Sequence, residues 1–157
     1  MPKVIVTGVD SSKTAFAAAM KAAELADSVG GILHICSAYS TSSAETLDAM
    51  RSRNTGKSDP DAFRKLKQGV ADAAEQVAES VAAVLRESYP DLTIQVSSVA
   101  GSPAKALLTK AKQLDAAVIV VGNKHVQGIA QVLGSVARKV AAEATCDLYI
   151  ANTVQHH

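Results

Sequence analysis

The chain has 157 residues, 48% of them hydrophobic and 20% charged. That length and mixture fit one folded domain and exclude disordered and fibrous classes. A formal charge of +1, 3% aromatic residues and no Trp argue against nucleic acid or an anionic membrane as the main partner.

Val4–Val9 is short, apolar and β-branched, which predicts a buried strand. Asp10-Ser11-Ser12 follows and suits the cap of a helix over Ala15–Val29, which Gly30-Gly31 ends. Ile32–Cys36 predicts a second buried strand, with His34 as a core or crevice residue. Ser40–Asp59 is polar and predicts a mobile loop, with a short helix around Ala44–Arg51. Asp59-Pro60 then reads as a cap with proline in the first turn of a long amphipathic helix to Ser88.

Leu92–Val99 alternates apolar with polar, as expected of a strand near a sheet edge with one wetter face. Gly101-Ser102-Pro103 opens a helix from Ala104 to Leu114, and Ala116–Val121 is a continuous apolar strand. Gly122–Gly134 is punctuated by glycines, Ser135–Ala144 is a helix and Cys146–Ala151 is the last strand. Strands alternating with helices predict an α/β domain over 1–153, with a tail at 154–157, built on a parallel sheet with helices on both faces. Cys36 and Cys146 lie in apolar runs without metal or redox spacing and read as small core residues. No apolar run approaches about 18 residues, so a cytoplasmic, reducing location is expected.

Ligands of such sheets lie beyond the carboxyl ends of the strands, where the strand order reverses. Val9-Asp10-Ser11 follows the first strand; Gly122-Asn123-Lys124 and Gly134-Ser135 follow the fourth. A helix beginning at Ser135 would present free amides and a positive dipole end to a phosphate. A plain strand-ending turn at Gly122 and a helix cap at Gly134-Ser135 remain equally open from spacing alone. G-x-G-x-x-G and G-x-S-x-G are absent, and in the P-loop-like run Gly8–Thr14, Lys13 stands where the second glycine belongs. No general base, nucleophile or metal-ligand set is evident, so no enzymatic activity is expected.

The strand Val4–Val9 with Asp10-Ser11-Ser12, then Leu33-His34-Ile35, Ala100–Ala104, Val118–Lys124 and Val132–Val136, closing on Cys146–Ile150, resembles the nucleotide-binding branch of the universal stress protein family over nearly the whole chain. The resemblance implies a five-stranded, Rossmann-like parallel sheet in the order 3-2-1-4-5. It also implies a homodimer paired through Cys146–Ala151. An adenine nucleotide, ATP or cyclic AMP, with Mg accompanying ATP, is the implied ligand. Asp10 would contact the ribose or adenine side, Ile35 would line the adenine pocket and Gly101 would border it. Gly122, Gly134, Ser135 and Val136 would hold phosphate and ribose.

The family motif is G-x2-G-x9-G-S/T. Here His125 stands at the second glycine, and eight residues rather than nine separate it from Gly134. Val126, Gln127, Ala130 and Gln131 are neutral where the family carries basic residues, which leaves β- and γ-phosphates less compensated. The expected function is a dimeric stress-response sensor or regulator that binds an adenine nucleotide without fast turnover. A nucleotide-independent adaptor is the alternative. An ATP-pyrophosphatase-type enzyme fits less well, because Val6 and Thr7 replace the first Ser and Gly of its S-G-G-x-D-S loop.

Overall fold

The computed structural model describes residues 2–56, 59–126 and 129–153, and for 43 and 124–132 the backbone alone. The elements in chain order are β1 (Val4–Gly8), α1 (Lys13–Ser28), β2 (Ile32–Tyr39), α2 (Thr41–Thr55), α3 (Pro60–Ser88), β3 (Thr93–Ala100), α4 (Pro103–Gln113), β4 (Val118–Gly122), β5 (Lys124–Val126), β6 (Ile129–Val132), α5 (Ser135–Glu143) and β7 (Asp147–Ala151). Five strands pair in the order β3-β2-β1-β4-β7, all parallel. Counting only these five, that is the expected 3-2-1-4-5 arrangement.

Successive strand residues point to opposite faces, and the core divides accordingly. Ile5, Leu33, Ile35 and Val120 pack with α1 and α3 through Ala22, Ala26, Ala78 and Leu85. Val6, Cys36, Ile119 and Val121 pack with α4 and α5 through Leu107, Ala111, Ala137 and Val140. The alanines Ala18, Ala19, Ala22, Ala23 and Ala26 are all buried. Their short side chains let α1 approach the sheet closely. Thr7 is the polar exception within β1, and its buried hydroxyl donates to the Val120 carbonyl at 3.0 Å, which offsets the cost of removing it from water.

Two segments differ from the sequence expectation. Ser40–Asp59 is mostly a helix of 15 residues rather than a loop with a short helix. Ser40 accepts from the Ser42 amide at its start, Gly56 closes it at φ 69°, and Ala44 is fully buried. Its apolar residues show no clear helical stripe because packing against α3 rests largely on small side chains, so periodicity could not reveal it. Residues 57–58 lie outside the described residues. The second difference is the antiparallel hairpin of β5 and β6, which stands where a glycine-punctuated segment was expected.

The edge position of β3 agrees with its alternation, since Ile94 is buried and Gln95 exposed. Cys36 is 1% exposed, while Cys146 is only partly buried, so the core reading holds fully for the first alone. No helix among the described residues is long and apolar enough to cross a membrane.

Candidate functional site

The strand order reverses between β1 and β4, and a cavity of about 370 Å³ opens over their carboxyl ends. That volume lies within the range of about 300–1,000 Å³ usual for small-molecule sites. Gly8, Val9 and Asp10 from β1 and its turn form one wall, with Ser12, Thr14, Ala15 and Ala18 of α1. Cys36 and Ala38 of β2, Val120–Gly122 of β4, Pro103, Ala106 and Leu107 of α4, and Ser135 and Val136 of α5 complete it.

The turn after β1 is built from local hydrogen bonds. Val9 N–H donates to the Cys36 carbonyl at 2.9 Å. Asp10 Oδ1 accepts from Ser12 N–H at 3.0 Å, and Ser12 Oγ accepts from Ala15 N–H at 3.1 Å, capping α1. Asp10 thus commits one carboxylate oxygen to the turn and keeps the other at the cavity rim. Ser11 takes φ 73° to make the bend, a left-handed conformation uncommon for a residue with a side chain. Ser11 supports the loop and does not line the cavity.

Gly122 and Gly134 owe nothing to positive φ. A Cβ on Gly122 would lie 3.0 Å from Thr153 Cγ2 and 3.1 Å from Thr14 Cγ2, so close approach excludes a side chain there. Gly134 is extended (φ −67°, ψ 168°) and is itself the N-cap of α5, without a side-chain cap bond. Ser135 is therefore the first helical residue rather than the cap, and lies at the cavity with Val136. Gly101 does need its conformation: it sits at φ 124° and donates its N–H to the Tyr39 carbonyl at 2.9 Å. It borders an adjoining cleft rather than this cavity.

Other expected residues are placed elsewhere. Ile35 is fully buried in the layer under α1 and α3 and does not line the cavity. Cys36 and Ala38 line it instead, since the strand's alternation carries them to the opposite face from Ile35. Asn123 is 9% exposed and acts as a clamp: its Oδ1 accepts from Thr153 N–H at 2.8 Å, and its Nδ2 donates to Asn152 Oδ1 at 3.3 Å. Thr153 Oγ1 donates back to the Asn123 carbonyl at 2.6 Å. The backbones of Lys124 and His125 belong to β5; their side chains lie outside the described residues. Sequence reasoning passed over Thr14, Ala38 and Leu107 as wall residues. Position alone could have signalled Thr14, in the first turn of the helix after β1.

The electrostatics are simple. Asp10 is the one charged residue among the described residues of the cavity wall. The Cys36 thiol is pushed up to about 12 by burial, which outweighs the opposing effect of the Lys110 charge, so the floor is neutral. Beside it, His34 donates or accepts through Nε2 with Ser97 Oγ at 2.8 Å, while its buried Nδ1 has no partner. Burial first, then Lys110, lowers its pKa, and a hydrogen bond with Gln95 opposes them. The result is a mostly apolar slot with helix N-termini at its edges and little charge of its own.

Sequence and structure comparisons agree on the relatives of this chain. It is 34% identical over 64 residues to the universal stress protein Slr1101 of Synechocystis; the match spans 40% of this chain and 59% of that relative. A crystal structure of a universal stress protein in complex with cAMP superposes with a TM-score of 0.62 at 24% identity, covering 98% of each chain. A universal stress protein family member from Arabidopsis thaliana with AMP bound gives a TM-score of 0.60 at 12% identity, covering 96% of this chain and 92% of the other. The family model for universal stress proteins matches residues 1–152. With that match and the 3-2-1-4-5 parallel sheet, the chain belongs to the universal stress protein family.

Proposed function

We propose that the cavity binds an adenine nucleotide carrying a single phosphate, AMP or cyclic AMP, in preference to ATP. The carrying observation is the cavity itself: an apolar slot large enough for a nucleoside, bordered by the α5 N-terminus at Ser135, with Asp10 as the only charged residue of its described wall. Stripping water from a triphosphate without cations nearby is costly, whereas one phosphate can be met by first-turn amides. Magnesium would find one carboxylate on the described wall, Asp10, so its remaining ligands would come from phosphate and water. The complexes of relatives with cAMP and AMP support the ligand class.

In this reading Asp10 takes a ribose hydroxyl on its uncommitted oxygen. The small side chains of Ala15, Ala38 and Cys36 leave room for the base, and the Gly134–Ser135 backbone meets the phosphate. Binding would order the crevice rim without turnover, as suits a sensor or regulator. The sensor works as a homodimer through Cys146–Ala151: β7 is an edge strand paired only with β4, and Tyr149 and Ile150 remain 43% and 40% exposed. Unpaired edges of this kind are templates for a second chain.

Isothermal titration with AMP, cyclic AMP, ADP and ATP tests the ligand. AMP or cyclic AMP should bind at least about tenfold tighter than ATP, a difference of roughly 1.4 kcal/mol. Gly134→Val, whose φ and ψ a valine tolerates, should weaken binding and leave the far-ultraviolet circular dichroism unchanged. Equal affinity for ATP and AMP, or parental binding by Gly134→Val, would remove the basis of the reading.

A further inference from the structure

We infer that the crevice has a second subsite, for a small oxyanion, at the end away from α5. An open cleft of about 660 Å³ lies there, bounded by Tyr39, Ser40 and Thr41 on one side and Gly101, Ser102 and Lys105 on the other. It shares Ala38 and Pro103 with the 370 Å³ cavity, so the two spaces adjoin. The proposal rests on the nucleotide reading only for what occupies the neighbouring space.

The two compartments differ in charge. Asp10 is the charged group on the described wall of the first, and Lys105 is the charged group lining the second. None of the ion pairs among the described residues involves Lys105. Its side chain also runs along the cleft wall: Lys105 Cβ, Cγ and Cδ all lie 3.7–3.9 Å from the position of a Cβ on Gly101. The ammonium is thereby kept near a cavity that holds no compensating carboxylate. The positive φ of Gly101 and its bond to Tyr39 bring the start of α4 beside the start of α2.

Those two starts add to the field of the lysine. Neither α2 nor α4 has an acidic residue in its first turn. Ser40 caps the Ser42 amide and Ser102 the Lys105 amide, which leaves other first-turn N–H groups of each helix without intrahelical acceptors. A phosphate or carboxylate meets all three features at once: a cation, oriented amides and serine or threonine hydroxyls. The anion comes either as free phosphate beside the nucleotide or as an acidic group carried by the nucleotide itself.

Amide-resolved NMR distinguishes the two sources. The probes are inorganic phosphate, with and without AMP, and an AMP whose exocyclic amine carries a succinyl dicarboxylate. Phosphate that shifts the amides of Thr41–Ala44 and Gly101–Lys105, with AMP present or absent, establishes the subsite with a free anion. Shifts there with the dicarboxylate alone establish it with a nucleotide-borne anion. In either case Lys105→Gln should weaken the responding probe by about fivefold, the upper range for one exposed charge contact, and change AMP affinity by less than about twofold. If neither probe moves these amides, or Lys105→Gln responds as the parent does, the subsite is overturned. Phosphate bound at these amides in a protein that binds no nucleotide would uphold the subsite and defeat the nucleotide reading separately.

Discussion

Gly122→Ala tests how the crevice floor is built. The new methyl would sit 3.0 Å from Thr153 Cγ2, 3.1 Å from Thr14 Cγ2 and 3.1 Å from Thr153 Oγ1, against an optimum of about 3.5–4.0 Å between carbons. Thr14 lies in the first turn of α1 and can yield by a small rotation. Thr153 cannot, because its hydroxyl is held on the Asn123 carbonyl at 2.6 Å and its amide on Asn123 Oδ1 at 2.8 Å. Relief therefore requires one of those hydrogen bonds, each worth about 0.5–1.5 kcal/mol, or overpacking strain of about 1–3 kcal/mol. A loss of about 1–3 kcal/mol is expected, read by urea denaturation under far-ultraviolet circular dichroism. Thr153→Ser removes the methyl and keeps the hydroxyl, so it should recover part of that loss when combined with Gly122→Ala. The coupling in a double-mutant cycle should be at least about 0.5 kcal/mol. A cost below about 0.5 kcal/mol for Gly122→Ala, within the scatter of surface substitutions, or strict additivity with Thr153→Ser, would refute the close-approach argument.

Ile150→Asp should convert a dimer into a monomer by light scattering at micromolar concentration, because it places a charge on an exposed strand edge; a parent that is already monomeric refutes the dimer. His34 has a lowered pKa in the folded chain, so the unfolded chain binds its proton first. Its contribution is complete above the unfolded value of about 6.5 and is lost as the pH falls below it. Urea titrations should show that acid loss shrinking in His34→Gln. Maleimide should label Cys146 in the native protein and reach Cys36 only in denaturant, since Cys36 is buried and its thiol is pushed up to about 12; equal labelling rates would contradict its burial.

The strands and most helices were legible because their signals are local. β-branched apolar runs at Val4–Gly8 and Val118–Gly122, and serine–proline and aspartate–proline starts at Ser102-Pro103 and Asp59-Pro60, act within a few residues. The position of the crevice followed from strand alternation with helices, which allows few topologies, so Val9, Asp10, Gly122, Ser135 and Val136 were found before any contact was known.

Tertiary structure decided what depends on partners distant in the chain. Helix α2 lacks an apolar stripe of its own, and only packing against α3 identifies it. Ile35 and Cys36 are adjacent apolar residues of similar appearance in the sequence. The pairing of β2 between β1 and β3 fixes which face each one serves, sending Ile35 to the core under α1 and Cys36 to the cavity. Asn123 looked available to a ligand until Thr153, thirty positions later, came within hydrogen-bond reach. Backbone propensity and caps are encoded over a few residues; the face a side chain occupies and the partner it meets are settled only when the sheet closes.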